Sequence, residues 1–216
     1  MNAAASDPVD ILAVRGNAIE EFLGDAARLR LAVFREWPYL YVGDEASEGK
    51  YLETYRQHGE SLFVVARAGG EVVGISTGMP LRGETGEVQE PFVAAGIDPA
   101  RVFYFGESVL LPGWRGRGIG VRFFEERERH ARGLAGVENA AFCAVDRPAG
   151  HRARPPGYVA LDAFWAKRGF VKTALRTEFT WKEIGEDTAS AKSLTFWMKA
   201  LDGGAQSCQK VDASVA

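Results

Sequence analysis

A glycine-rich turn with two arginines is the stretch of this sequence best suited to chemistry. Residues 115–120 read Arg-Gly-Arg-Gly-Ile-Gly and lie between an apolar segment at 102–111 and a segment of helical periodicity. Three glycines in five residues remove the side chains that would keep a ligand away from the backbone. A helix that begins here leaves its first N–H groups without partners inside the helix. The turn is therefore predicted to bind an anion through its backbone.

The spacing of the glycines distinguishes between the known phosphate-binding loops. Gly116, Gly118 and Gly120 do not match the G-x-G-x-x-G of dinucleotide-binding folds, and the Gly-Lys-Ser/Thr of a P-loop is absent from the sequence. The pattern Arg/Gln-x-x-Gly-x-Gly/Ala does fit, with Arg115 at its first position. In this respect the chain resembles the GNAT superfamily of acetyl-CoA-dependent N-acetyltransferases, whose loop wraps the pyrophosphate of coenzyme A.

A second segment resembles the same superfamily. Residues 167–170 read Lys-Arg-Gly-Phe and end a short helical segment, as in the Lys-x-Gly-Phe landmark of GNAT chains. With the intervening elements, the resemblance covers about residues 9–200 and implies a single GNAT-like domain over 1–216. The implied fold is mixed α/β, with a twisted, mostly antiparallel sheet of about six or seven strands, a splayed parallel pair and about four flanking helices.

The resemblance implies acetyl-CoA as co-substrate, bound mainly by backbone groups, and it implies no metal ion. Where the two parallel strands splay, freed N–H groups are expected to bond the pantetheine and the thioester carbonyl. The expected positions are Val109, Leu110 and Leu111. The pyrophosphate is expected on the turn formed by Arg115, Gly116, Arg117, Gly118, Ile119 and Gly120.

Acetyl transfer from a thioester to an amine also needs a general base. Glu107 is the only carboxylate on the central strand, and the resemblance implies that it removes the amine proton, directly or through water. A strand glutamate that faces solvent or pairs with an arginine is an equally good interpretation. Strict alternation would place Glu107 on the face of Phe105 and Val109, unless a bulge near Gly106 turns it.

The departing thiolate needs stabilisation or a proton. Many GNAT enzymes carry a tyrosine two residues before the lysine of the Lys-x-Gly-Phe landmark, but this chain has Trp165, whose indole does not supply a proton in this range. Tyr158, in the preceding loop, is the candidate substitute. Two alternatives stay open: the thiolate leaves unaided, or the chain binds coenzyme A without transferring acetyl.

Two segments are candidates for binding the acceptor. Trp37, Tyr39 and Tyr41 lie in an aromatic segment whose proline and glycine forbid helix. The loop after the second parallel strand carries several cationic or potentially cationic residues, namely Arg147, His151, Arg152 and Arg154. Guanidinium groups bind carboxylate and phosphate in bidentate geometry, so we expect a small amine with an anionic group, such as an amino acid. A protein N-acetyltransferase with an open peptide groove is the alternative.

Composition limits the class of protein. The chain has 216 residues, of which 46% are apolar and 25% charged, and this is typical of one soluble domain. The net charge of −3 argues against general nucleic-acid binding. No apolar run is long enough to cross a membrane and the start does not resemble a secretory signal, so we expect no membrane partner and a cytoplasmic location. Cys143 and Cys208 do not form a disulfide framework. The sequence leaves a homodimer open.

The remaining elements are predicted from hydrophobic periodicity. Helices are expected over about 19–37, 47–58, 119–132 and 161–168. Strands are expected over 9–15, 61–67, 71–79, 139–145, 174–184 and 193–199, with 139–145 parallel to the central strand at 102–110. Residues 80–99 are rich in Gly, Glu and Pro and are predicted to form a surface loop or a lid. The ends, 1–8 and 203–216, are expected to be frayed.

Overall fold

A computed structural model describes residues 8–201, which contain seven strands and five α-helices. The strands are β1 Asp10–Arg15, β2 Leu62–Ala68, β3 Glu71–Pro80, β4 Val102–Leu110, β5 Asn139–Val145, β6 Val171–Trp181 and β7 Ser190–Ala200. The helices are α1 Leu23–Phe34, α2 Glu45–Gln57, α3 Gly86–Ala94, α4 Ile119–Arg132 and α5 Asp162–Ala166. The predictions for Cys208 and for the chain ends beyond this range fall outside the described residues.

The strands form one mixed sheet in the order β1-β2-β3-β4-β5-β7-β6, and β4 and β5 are its parallel pair. These two strands pair only from Val102↔Asn139 to Tyr104↔Ala141. Beyond that point β4 continues along β3, and β5 continues along β7. The parallel pair therefore splays, which leaves backbone groups on the facing edges of both strands available to a ligand. This architecture confirms the fold class expected from the sequence.

Helices cover both faces of the sheet. On one face, buried side chains of α1 and α2, including Leu29, Leu52 and Tyr55, pack against residues of β2, β3 and β4. On the other face, Phe123 and Phe124 of α4 pack against a second cluster of strand residues. No helix within residues 8–201 is both long and apolar enough to cross a membrane.

The segment at 80–99 differs from its prediction. Its glycines and prolines predicted a loop, but residues Gly86–Ala94 form α3, with Pro91 inside the helix. Val88 and Phe92, four positions apart, are buried on one face of α3, and the Phe92 ring packs against Phe196 with centroids 4.8 Å apart. Burial of this apolar pair outweighs the cost of the missing proline N–H. The segment is part of the core rather than a free lid.

The first helix is also shorter than predicted. Residues Gly16–Phe22 form a 3₁₀ turn, and α1 runs only from Leu23 to Phe34. The helical spacing of apolar residues does not distinguish a 3₁₀ turn from the α-helix that continues it.

Candidate active site

A β-bulge in the central strand decides where Glu107 points. Gly78 pairs with Phe105 and Ser76 pairs with Ser108, so two residues of β4 stand opposite one residue of β3. Phe105 belongs to the core beneath α4, whereas Glu107 lines a pocket on the opposite face. The expectation from strict alternation, which put the two residues on one face, is wrong. The reason is the β-bulge at Gly106 and Glu107, which turns the Glu107 side chain to the other face.

Glu107 opens into a pocket of about 430 Å³ beside the point where β4 and β5 separate. Aromatic residues form much of its wall: Phe34, Tyr39, Tyr41, Tyr51, Tyr104, Phe179 and Trp181. Its carboxylates are those of Glu48, Glu84, Glu87, Glu107 and Glu178. Arg30 is the one cation among these described lining residues. The pocket is therefore aromatic and acidic.

The Glu107 carboxylate is held through one oxygen and free at the other. Its side chain is 3% exposed, and Oε2 lies 2.8 Å from Nη1 of Arg30 and accepts a hydrogen bond from the Tyr51 hydroxyl at 3.2 Å. Oε1 is buried without a hydrogen-bond partner in the described structure. A buried acceptor without a partner is costly, so this oxygen is suited to a donor that arrives with a ligand.

Arg30 connects α1 to Glu107. Its guanidinium also donates to Glu48 through Nε and lies over the Tyr51 ring, 4.2 Å from the ring centroid. Burial would lower the pKa of Arg30, but the Glu107 and Glu48 carboxylates outweigh it and raise that pKa above its ordinary value. Arg30 therefore stays charged, and its positive charge faces the Glu107 carboxylate.

A second carboxylate is linked to Glu107 through two tyrosines of α2. The hydroxyls of Tyr51 and Tyr55 lie 3.0 Å apart, and Tyr55 donates to Oε1 of Glu84 at 3.1 Å. Burial raises the pKa of Glu84 to about 7, against the opposing effect of the Tyr55 hydrogen bond. Gly106 makes the approach of Tyr55 possible, because a Cβ at that position would lie 2.0 Å from the Tyr55 hydroxyl oxygen.

The bulge is supported from the other face of the sheet by a buried arginine of α4. Nη1 of Arg127 donates to the backbone oxygens of Thr77 at 3.3 Å and Glu107 at 3.2 Å, and Nη2 donates to Ser108 Oγ at 2.8 Å. The guanidinium lies 4.2 Å from the centroid of the Phe105 ring. One side chain thus bonds two backbone carbonyl groups at the bulge, one on each strand.

The glycine turn has the geometry of an anion cradle. Gly116 and Gly118 have φ of +77° and +79°, and a Cβ at either position would meet nothing within 4 Å. Gly118 is the N-cap of α4 and no side chain caps the helix start. The open space and the uncapped N–H groups fit a phosphate group such as the pyrophosphate of coenzyme A. Gly120 continues into α4 beneath Phe164 of α5.

The arginines of the turn are held at its edges. Arg115 lies 2.8 Å from Glu36 and donates to the Leu110 oxygen at 3.0 Å. The Arg117 guanidinium lies over the Trp114 ring, 4.5 Å from its centroid.

The end of β4 corrects one detail of the expected backbone contacts. The Leu111 N–H donates to the Val73 oxygen at 3.0 Å, so it is engaged in the sheet and not freed by the splay. Because successive N–H groups of a strand point to opposite sides, the Val109 N–H also faces β3. The Leu110 N–H faces the gap between β4 and β5. Of the three positions, Leu110 is the one suited to a ligand in that gap.

The two positions considered for the general acid lie outside the pocket lining. Trp165 packs on Phe142 and Trp197, with ring centroids 5.1 and 5.2 Å away, and so serves the core. Tyr158 lies edge-on to Trp37 at 5.9 Å. Among the tyrosines of the pocket, Tyr104 is the one on β4 at the point where β4 and β5 separate. Its hydroxyl is 3.1 Å from the Cys143 sulfur.

The structure divides the expected acceptor residues into two groups. Tyr39 and Tyr41 line the pocket. Trp37 does not line it and instead packs against His151 of the basic loop, with ring centroids 5.0 Å apart. The other loop residues are Arg152, an exposed residue, and Arg154, which lies over the Tyr158 ring. The aromatic segment and the basic loop therefore meet, but beside the pocket rather than within it.

Arg147 has a different part in the same region. Its guanidinium donates to the Pro38 oxygen at 2.6 Å and the Tyr39 oxygen at 3.1 Å, and pairs with Glu183. It thereby fixes the aromatic segment against the end of β6. With these bonds made, Arg147 is committed to the protein rather than to a ligand.

Sequence reasoning did not select several residues that build the site: Arg30, Glu48, Glu84, Tyr104 and Arg127. The pair Tyr51 and Tyr55 carried a signal, because the two tyrosines lie four positions apart on one helical face. Arg127 carried a weaker signal, because an arginine within the apolar stripe of α4 indicates a buried polar contact. Glu84 lies in a segment that predicted a loop, so no pattern distinguished it.

Comparison with known proteins agrees with this geometry. The family model of the acetyltransferase (GNAT) family matches residues 28–170. No curated protein matches the sequence significantly. Many solved structures share the fold.

The structure is similar to the ribosomal-protein-alanine N-acetyltransferase from Brucella melitensis, with a TM-score of 0.56 and 18% identity over 88% of this chain and 99% of that chain. It is similar to yncA from Salmonella typhimurium with its cofactor acetyl-CoA, with a TM-score of 0.54 and 14% identity over 89% and 95%. It is also similar to Arabidopsis thaliana NAA60 in complex with a bisubstrate analogue, with a TM-score of 0.56 and 12% identity over 89% and 100%. At these identities the likeness shows the fold alone.

Proposed function

The chain belongs to the acetyltransferase (GNAT) family, and we propose from this premise that it transfers acetyl from acetyl-CoA to the amine of a small molecule. The observation that carries the proposal is the buried, unpartnered Oε1 of Glu107. This oxygen lies in the pocket next to the splayed strands, where an amine can donate an N–H to it. The yncA structure, which contains acetyl-CoA, supports the same co-substrate here.

The turn and the splay hold the co-substrate. The backbone of Gly116 and Gly118 and the start of α4 bind its pyrophosphate, and the Leu110 N–H faces the gap in which its pantetheine lies. Acetyl-CoA, when bound, supplies the thioester carbonyl that the amine attacks.

Glu107 then acts as the general base in a direct transfer. Its Oε1 takes a proton from the acceptor nitrogen, while Arg30 holds the other oxygen of the carboxylate. The carbon–nitrogen bond forms as the carbon–sulfur bond breaks, and the thiolate leaves with a proton from solvent or from the site. Trp165, which occupies the position where many GNAT enzymes have a tyrosine, packs in the core and does not supply that proton.

The charge of the pocket favours a cationic acceptor over the anionic one expected from the basic loop. Carboxylates predominate in the lining, and its one described cation, Arg30, is already paired with Glu48 and Glu107. Aromatic walls add attraction for a cation and exclude water from the amine. An acceptor carboxylate in this pocket would be repelled by the carboxylates around it. A small organic cation with a primary amine fits best.

An acceptor panel tests the proposal. The purified protein is incubated with acetyl-CoA and amines of similar size but different charge, including a diamine, an arylalkylamine, a neutral amine, an amino acid and a short peptide. Thiol release and the mass of the product are measured. We expect cationic amines to exceed amino acids in kcat/KM by at least about tenfold.

The other outcomes of the panel have distinct meanings. Preference for the amino acid would support the acceptor with an anionic group that the sequence predicted. Preference for the peptide would favour a protein N-acetyltransferase. Coenzyme A binding without thiol release for any amine would overturn the enzyme in favour of a binding module.

A further inference from the structure

Four side chains in the pocket form a hydrogen-bonded row that joins two carboxylates. The order is Glu107, Tyr51, Tyr55, Glu84, and the three oxygen–oxygen distances are 3.2, 3.0 and 3.1 Å. Both tyrosines belong to α2 and all four residues are mostly buried. The row thus connects the base to a second carboxylate that the proposed mechanism does not use.

The row has more contacts than hydroxyl protons. Three contacts need three protons, and the two tyrosines supply two. When both carboxylates are ionised, one contact must lack a hydrogen. When one carboxyl is protonated, every contact becomes a hydrogen bond. The fully bonded row therefore contains one carboxyl proton.

The surroundings decide which end carries that proton. Arg30 lies at the Glu107 end, 2.8 Å from Oε2, so a positive charge faces that carboxylate. Glu84 is 7% exposed and its Oε1 receives a hydroxyl rather than a guanidinium. Burial therefore favours the neutral form of Glu84.

We propose that Glu84 is a positioning residue that sets the basicity of Glu107 through the hydroxyls of Tyr55 and Tyr51. The inference rests on the proposed function of Glu107 as the base. With Glu84 protonated, its carboxyl donates to Tyr55, Tyr55 donates to Tyr51, and Tyr51 donates to Glu107. With Glu84 ionised, Tyr55 donates to Glu84 and Tyr51 still donates to Glu107, so the contact between the two tyrosine hydroxyls is the one that lacks a hydrogen. Tyr51 no longer receives a hydrogen bond from Tyr55, so it becomes a weaker donor to Glu107 and the Glu107 carboxylate becomes the better proton acceptor.

The other charged and titratable groups around the row come from every neighbouring element. They are Arg30 on α1, Tyr39 and Tyr41 in the segment after α1, Glu48 on α2, His58 just after α2, Glu87 on α3, Arg127 on α4, Tyr104 on β4, Cys143 on β5 and Glu178 on β6. Burial raises the pKa of Tyr104 and raises that of Cys143 to about 12, so both stay neutral. Burial lowers the pKa of His58. Glu84, whose pKa burial raises to about 7, changes charge near neutrality.

Carboxyl carbon NMR tests the row without any need for activity. The protein is labelled with ¹³C at glutamate carboxyl carbons, the signals of Glu84 and Glu107 are assigned with Glu84→Gln and Glu107→Gln, and the pH is varied from 5 to 9. We expect the Glu84 signal to titrate near pH 7 and the Glu107 signal to respond at the same midpoint. In Tyr55→Phe, the Glu84 midpoint should rise by about half a pH unit or more, since the carboxylate loses a donor. If the chemical shift of the Glu107 carboxyl carbon does not change at the pH where Glu84 titrates, the proposal is overturned.

Turnover provides the second measurement. We expect the ratio of kcat between the wild type and Glu84→Gln to rise by about threefold or more between pH 6 and pH 8, since only the wild type gains the ionised Glu84. Because both proteins act on the same acceptor amine at each pH, the ratio removes the effect of the amine's own titration. In a Tyr55→Phe background the ratio should stay flat. Glu87→Gln, which removes another pocket carboxylate outside the row, should give a ratio to the wild type that does not vary with pH.

The outcomes separate the two proposals. The same pH dependence in the Tyr55→Phe background would show that Glu84 acts by charge alone and would overturn the row. Absence of acetyl transfer in the wild type would overturn the proposed function, while the NMR titration would still decide whether Glu84 and Glu107 are coupled through the tyrosines.

Discussion

The Arg127 guanidinium donates a hydrogen bond to the backbone oxygen of Glu107 at 3.2 Å, from the face of the sheet opposite to the Glu107 side chain. The same nitrogen bonds the Thr77 oxygen across the bulge at 3.3 Å. Arg127 is buried, and burial lowers its pKa. A cation beneath the sheet thus fixes the irregular pairing that turns Glu107 into the pocket.

Arg127→Met should reduce both stability and turnover. Methionine fills similar space but leaves two carbonyls of the bulge unsatisfied, at a cost of about 2–4 kcal/mol in the free energy of unfolding. If the bulge relaxes, Glu107 moves and kcat falls by about tenfold or more, while the KM for acetyl-CoA changes little. Urea denaturation and steady-state kinetics measure the two effects.

Arg129→Met is the matched control, because Arg129 is an exposed residue of the same helix whose ion pair is with Glu126. It should change the free energy of unfolding by less than about 1 kcal/mol and leave kcat unaltered. Wild-type kcat in Arg127→Met would show that the arginine supports the fold and not the position of the base.

Glu107→Gln should lower kcat by about 100-fold or more and leave the KM for acetyl-CoA nearly unchanged. The amide keeps the size of the carboxylate but does not take a proton from the acceptor, and the co-substrate is expected on the glycine turn, away from this side chain. Steady-state kinetics from pH 6 to pH 9 measure the effect. Wild-type turnover across this range would reduce Glu107 to a structural partner of Arg30.

Gly118→Val should abolish coenzyme A binding. The positive φ of +79° strains any L side chain, and the added atoms would occupy the open space in which the pyrophosphate is expected. Calorimetry should show an affinity loss of more than about 100-fold, with a smaller loss for Arg117→Ala, which removes a side chain that lies over Trp114 and leaves the backbone of the turn in place. Thermal denaturation confirms folding, and an unchanged coenzyme A affinity in Gly118→Val would exclude this turn as the site.

Glu84→Gln should stabilise the protein at high pH. The pKa of Glu84 is raised by burial from 4.5 to about 7, so the folded state holds a proton that the unfolded state releases. The free energy of unfolding of the wild type therefore falls as pH rises from about 4.5 to 7, by up to about 3 kcal/mol. Glutamine does not titrate and avoids this loss.

The check is urea denaturation of both proteins at pH 5 and pH 8. The difference in the free energy of unfolding should grow in favour of Glu84→Gln at pH 8. An equal difference at both pH values would mean that Glu84 titrates near its ordinary value.

The sequence by itself determined the glycine turn and the order of the elements. The Arg115–Gly120 turn, the Lys-Arg-Gly-Phe segment and the Gly-Gly hairpin are local patterns, in which residues a few positions apart fix the backbone that the chemistry uses. The family match at residues 28–170 confirms the resemblance drawn from them. Glu107 was selected because it is the one carboxylate on a strand that local periodicity already identified.

Only the tertiary structure decided what surrounds that carboxylate. Tyr51 reaches Glu107 across 56 positions of sequence and Tyr55 reaches Glu84 across 29, and no local pattern encodes such pairs. The basic loop shows the same dependence on distant contacts: Arg147 is bonded to Glu183 and to the aromatic segment, which no local pattern predicted. Whether a charged side chain meets a ligand or another part of the protein depends on which distant elements pack beside it, and this is fixed by the bulge, the splay and the placement of α1, α2 and α3.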